Sequence, residues 1–164
     1  NYYTLVTSGM GAHRMNVPKE LAEYKLERAE IVVYLPADWN ISDHEEKNYW
    51  PLRWLKILAR LPLEEDSWLG WGHSVPNGKP FAENTQLSSV LLINPENVEE
   101  GAAVCQLPNG EEVNFYQMIP LYEEEVNFKI QNGAETLLGK MGEISAVVDI
   151  HRLNVCEGFG RPKE

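Results

Sequence analysis

Residues 5–15 read "LVTSGMGAHRM", a short apolar run that breaks at a serine beside two glycines, with a histidine and an arginine behind. The stretch is either an active-site loop presenting Ser8 or cradling a phosphate, or a sharp turn leaving a strand. A nucleophile elbow needs G-x-S-x-G on a strand-to-helix turn, and a phosphate cradle needs a helix to follow. Neither is present, because the loop leads into polar residues and Pro18. The turn reading stands, and Tyr2 to Thr7 becomes a strand that ends at Gly9 and Gly11.

Working outward, Val17 to Glu23 holds a short helical turn. Ala29, Ile31, Val33 and Leu35 alternate in "YKLERAEIVVYL", and the β-branched run up to Pro36 predicts a buried strand. The polar segment "ADWNISDHEEKN" reads as a surface loop. The clearest helix is "YWPLRWLKILARLP", with Pro51 at its first position and Pro62 as its stop. Trp54, Leu55, Leu58 and Leu61 share one face of it, and Arg53, Lys56 and Arg60 make a basic stripe on another.

"SWLGWGHSVP" reads as a glycine-broken strand closed by Pro-Asn-Gly, and "LSSVLLIN" as a buried one. A second Pro-Asn-Gly, at 108–110, joins two strands into a hairpin. Pro120 opens a helix with Glu123, Glu124 and Glu125 in its first turn. Tyr122, Val126 and Ile130 form its apolar face, and Asn132-Gly133 ends it. Leu137, Leu138 and Met141 mark another short helix, and "ISAVVDIHRLNV" a last strand before a loose tail. Strands with few helices interspersed predict an α+β fold on a mixed, mostly antiparallel sheet, one domain over residues 1–164.

The chain carries 25 acidic against 14 basic residues, a net charge of −11. That sign repels nucleic acid and favours a basic protein partner. No run approaches the ~20 apolar residues of a membrane span. Cys105 and Cys156 lie far apart and read as reduced thiols of a cytoplasmic protein. The chain starts without Met and without a leader, so its true N-terminus is expected upstream or processed away. His13, His44, His73 and His151 show no metal-ligand spacing, and no metal or cofactor is expected. The acidic runs read as solvated turns.

Set in order, several segments resemble the Suppressor of fused (SUFU-like) family. They are "TLVTSGMG" at 4–11, "AEIVVYLPADW" at 29–39, "WPLRWLKILARLP" at 50–62 and "SWLGWGHSV" at 67–75. "FYQMIPLYEEEVNFKIQNGAETLL" at 115–138 and "DIHRLN" at 149–154 continue the series over nearly the whole chain. The resemblance implies a non-catalytic domain that binds proteins. Animal members restrain Gli-type transcription factors in Hedgehog signalling, and bacterial one-domain members look like immunity proteins against polymorphic toxins. This chain lacks the second domain of the animal type, so the bacterial type is the better match. The family pattern also begins upstream of "TSGM", which implies either an exposed sheet edge or a disordered segment.

On this reading the candidate protein-binding residues are Glu64, Glu65, Asp66, Trp68, Trp71 and His73, with Glu123, Glu124 and Glu125. No catalytic residue is expected. The alternatives are a regulatory scaffold for a cellular protein, and a hydrolase with a site around Ser8, His73 or Asp149.

Overall fold

The computed structural model describes residues 1–143 and 146–161. Six strands form one sheet in the order β1-β2-β6-β4-β3, with β5 also paired to β6. They are β1 (Tyr2–Val6), β2 (Arg28–Pro36), β3 (Ser74–Pro76), β4 (Ser89–Ile93), β5 (Val104–Gln106) and β6 (Glu112–Leu121). Every pairing is antiparallel except β2 with β6. The mixed, mostly antiparallel sheet expected from the sequence is therefore present.

Both faces of the sheet are covered, which is why β4 reads as an unbroken apolar run. Ile31, Val33, Leu35, Val90, Leu92 and Met118 pack with Trp50, Trp54 and Leu58 of helix α1 (Glu46–Glu64). On the other face Leu91, Ile93 and Leu121 meet helix α2 (Glu123–Asn132) through Val126, and helix α3 (Ala134–Met141) through Leu137 and Met141. Trp50 stacks flat on Phe81 at 4.6 Å between ring centres, and Trp54 meets the same ring edge-on.

The "TSGMG" turn is organised by a buried carboxylate. Glu30 of β2 accepts hydrogen bonds from the Gly9 and Gly11 amides, each at 2.9 Å, and from the Thr7 hydroxyl. The glycines are required for two different reasons. Gly9 sits at φ 108°, where a side chain is strained. Gly11 lies so close to β6 that a Cβ would stand 2.9 Å from Val113 Cγ1. Just outside, Glu111 takes Arg14 at 2.6 Å and Arg28 at 2.9 Å, with Asn109 also donating. Those partners hold its carboxyl down at about 2.

Several expectations need correction. Helix α1 begins five residues before Pro51 and passes Pro62, so both prolines are internal. Each forfeits one helical hydrogen bond, and each is buried against the core in exchange. The segment at 67–76 is a strand only over Ser74–Pro76. Pro120 belongs to β6, opposite Val90, rather than opening a helix. Ile130 is 71% exposed and so leaves the apolar face of α2.

The last expected strand does not form among the described residues. Its first two positions, 144 and 145, lie outside them, as do tail residues 162–164. The Val148 amide donates to Tyr34 of β2, after which the Asp149 side chain accepts the His151 amide and turns the chain away.

Gly11→Ala is expected to lower stability by about 1–3 kcal/mol in denaturant melts, through overpacking against Val113. Gly139→Ala, at a position with open space around it, serves as the control and should not destabilise.

Candidate protein-binding groove

A surface groove of about 770 Å³ runs between the β3 edge, the 78–80 turn, α2 and the segment after Arg152. Since β3 ends the sheet, its outer side has no strand partner among the described residues. Ser74 and Pro76 form one wall; Glu123, Asn127 and Ile130 form another. Leu153 closes the third side and is 86% exposed.

The third wall is held by Glu125, which has no solvent exposure. Its Oε1 accepts the Tyr122 amide at 2.9 Å, closing the first turn of α2, and Arg152 Nη2 at 2.5 Å. Its Oε2 accepts Arg152 Nη1 at 2.7 Å and the Val155 amide at 3.2 Å. The Arg152 guanidinium also donates to the Pro120 carbonyl and lies over the Tyr122 ring, whose hydroxyl donates back to the Arg152 carbonyl. Next door, Glu124 takes Arg161 at 2.6 Å and Asn154 at 3.1 Å. Burial opposes ionisation of Glu124, but these bonds prevail and its carboxyl stays below the ordinary range.

The nine sequence candidates therefore separate. Glu123 and Glu124 line the groove, whereas Glu125 is internal scaffolding, a correction to its reading as a surface residue. Glu64, Glu65 and Asp66 are exposed at and beyond the end of α1. Trp68 is half-buried against the core, edge-on to His73 at 4.4 Å. Trp71 is 39% exposed and lines a different cavity of about 420 Å³ with Ile93, Leu138 and Met141. His73 Nδ1 accepts the Gly70 amide at 3.1 Å. Burial pushes this imidazole below its usual value and the Lys129 charge adds to that, against a smaller backbone bond to Trp68.

Among the described residues Ser8 forms no hydrogen bond to an imidazole or carboxylate, His73 Nδ1 is occupied by Gly70, and Asp149 is occupied by His151. Sequence reasoning missed Ser74, Ile130 and Leu153 as groove residues. Their exposure depends on which elements meet there, and only the repeated appearance of both segments in the family resemblance hinted at it.

Comparison with known proteins places this geometry. The profile of the Suppressor of fused protein (SUFU) family matches residues 1–153. The chain belongs to the Suppressor of fused family. An uncharacterized protein of Ureaplasma parvum is 28% identical over 153 residues, covering 93% of this chain and 73% of that one. Among solved structures, Suppressor of fused in the Sufu–Fu complex aligns with a TM-score of 0.67 at 14% identity, over 94% of this chain and 70% of that one. A SUFU homologue from Neisseria gonorrhoeae aligns at 0.65 and 19% identity, again over 94% and 70%. Drosophila Suppressor of fused aligns at 0.66 and 15% identity, with 39% of its length covered. The shared fold is thus α+β, in a family of protein-interaction domains, and no helix among the described residues is long and apolar enough to cross a membrane.

Because folding lowers the His73 pKa, the folded state binds fewer protons than the unfolded one below about pH 6.5. His73 therefore contributes stability above that pH and loses it as the pH falls. Chemical melts between pH 7.5 and 5 should show that loss in the native chain and a flatter dependence in His73→Gln.

Proposed function

We propose that this chain is a non-catalytic binding domain of the immunity type, one unit that neutralises a bacterial toxin domain by direct contact in the cytoplasm. The observation that carries the reading is the groove beside the unpaired edge of β3. There Ile130 and Leu153, two large apolar side chains 71% and 86% exposed, flank a concave surface. Exposed apolar residues gathered at a groove mark interaction sites, whereas scattered ones do not. Membership of a family of protein-interaction domains supports it, as does the capture of one relative in a Sufu–Fu complex.

The net charge of −11 supplies the electrostatic half of the argument. An acidic domain accelerates its encounter with a basic partner such as a nuclease domain. The exposed carboxylates of Glu64, Glu65, Asp66 and Glu123 contribute to that field, and Trp71 offers an aromatic contact outside the groove.

Co-expression with any toxin domain that proves to be encoded beside this gene tests the proposal. The native chain should copurify with it and restore growth, with affinity falling as salt rises. Ile130→Asp and Leu153→Asp should each weaken binding by roughly tenfold or more while the fold is kept. A complex indifferent to both substitutions overturns the groove assignment, and one indifferent to salt overturns the electrostatic part. Turnover of a substrate that disappears in Ser8→Ala or His73→Ala would restore the enzyme reading.

A further inference from the structure

The segment before β3 folds back as a turn whose two ends are pinned. Leu69 is buried in the core and donates its amide to Met15 Sδ at 3.4 Å. On the far side the Gly72 amide donates to the Leu92 carbonyl at 2.7 Å, and the Leu92 amide to the His73 carbonyl at 2.9 Å. Between them the His73 amide closes the turn on the Gly70 carbonyl at 3.2 Å. Gly72 takes the positive φ, 82°, that a type II turn requires at its third position. Trp71 sits at the tip between two glycines, exposed at the rim of the cavity it shares with Ile93, Leu138 and Met141.

A side chain closes the same turn a second time. Gly70 is buried, and its amide donates to His73 Nδ1 at 3.1 Å, its one acceptor among the described residues. That bond requires the neutral ring with its proton on Nε2, because an imidazolium carries N–H at both nitrogens and accepts nothing. Turning the ring over presents a C–H instead and is no remedy. Charging His73 therefore leaves a buried amide without a partner, which is costly. Trp68 shields the bond. Its ring lies edge-on to His73 at 4.4 Å, and so near Gly70 that a Cβ there would stand 2.7 Å from its Cζ3. The charge acting on the imidazole is that of Lys129 on α2, which opposes protonation, while the Trp68 backbone favours it. Among the described residues no carboxylate hydrogen-bonds or ion-pairs with the ring.

We propose that His73 is an acid-sensitive latch on this turn: neutral, it clasps Gly70 and holds Trp71 at the cavity rim; charged, it lets go and Trp71 moves. The movement is confined to the tip, because Leu69 stays in the core and the Gly72–His73 end stays bonded to β4. Burial and the Lys129 charge keep the neutral form dominant near pH 7. The latch opens as the pH falls through a midpoint below the ordinary imidazole value of about 6.5. The inference goes beyond the binding reading and does not depend on it. Loss of stability in acid follows from any buried imidazole, whereas displacement of one exposed tryptophan follows only from the latch.

NMR of the full chain labelled with 5-fluorotryptophan and nitrogen-15 tests this between pH 7.5 and 5, with Trp71→Phe assigning the Trp71 fluorine signal. At pH 7.5 the His73 ring nitrogens should report the Nε2–H tautomer. As the pH falls, the Trp71 signal should move with the same midpoint as the His73 ring. The Gly70 amide should then exchange roughly tenfold faster or more, while the amides of β2 and β6 keep their protection. His73→Gln should abolish the Trp71 titration, and Lys129→Gln should carry both midpoints upward together. An Nδ1–H tautomer, a ring that titrates while Trp71 stays still, or a Trp71 signal that titrates equally in His73→Gln overturns the proposal. So do midpoints that part in Lys129→Gln. Loss of protection in β2 and β6 at the same midpoint also overturns it, since the whole domain is then unfolding in acid.

Discussion

A carboxylate with no solvent exposure has to be bound on every side, and Glu125 is such a group. Removed from water, it would be far too costly without the Arg152 guanidinium and the Tyr122 and Val155 amides around it. That requirement fixes three things together: the first turn of α2, the path of the chain after β6, and the docking of residues 152–156 on α2. Arg152 satisfies the charge and also the Pro120 carbonyl, so the end of β6 is tied into the same knot. The groove exists because this knot holds its outer wall in place. Cys156 is buried in the same cluster as Val126 and Met141.

Glu30 plays the equivalent part toward the opposite edge of the sheet. It gathers the Thr7 hydroxyl and two glycine amides, and so converts a glycine-rich loop that resembles an anion cradle into its reverse. The amide donors a phosphate would need are already satisfied by a carboxylate of the protein. This acidic chain thus uses two buried carboxylates, Glu30 and Glu125, as internal fasteners.

The legible parts of the sequence were those governed by local rules. Alternation identified β2, the apolar run identified β4, and Pro-Asn-Gly at 108–110 identified the β5–β6 hairpin. Gly133 ended α2 where expected, because its φ of 91° suits glycine. The failures share a cause, namely that they depend on partners remote in sequence. Nothing near Glu125 reveals that it is buried while Glu123 is exposed, since Arg152 lies 27 residues away. The final strand was misread because Val148 and Ile150 pack on the core without joining the ladder. Pro51 and Pro62 misled because burial of the rings outweighed the usual cost of proline inside a helix. Trp68 and His73, close in sequence, meet edge-on, whereas Lys129 and Ser74, which meet across 55 positions, carried no local sign of each other.

The account makes Glu125 the residue on which the groove wall depends, and hydrogen exchange of Glu125→Gln measures that directly. The amides of residues 152–157 should exchange at least about tenfold faster than in the native chain, while those of β2 and β6 keep their protection. If those amides keep native protection with the carboxylate gone, the segment is held by something else, and the central claim is wrong.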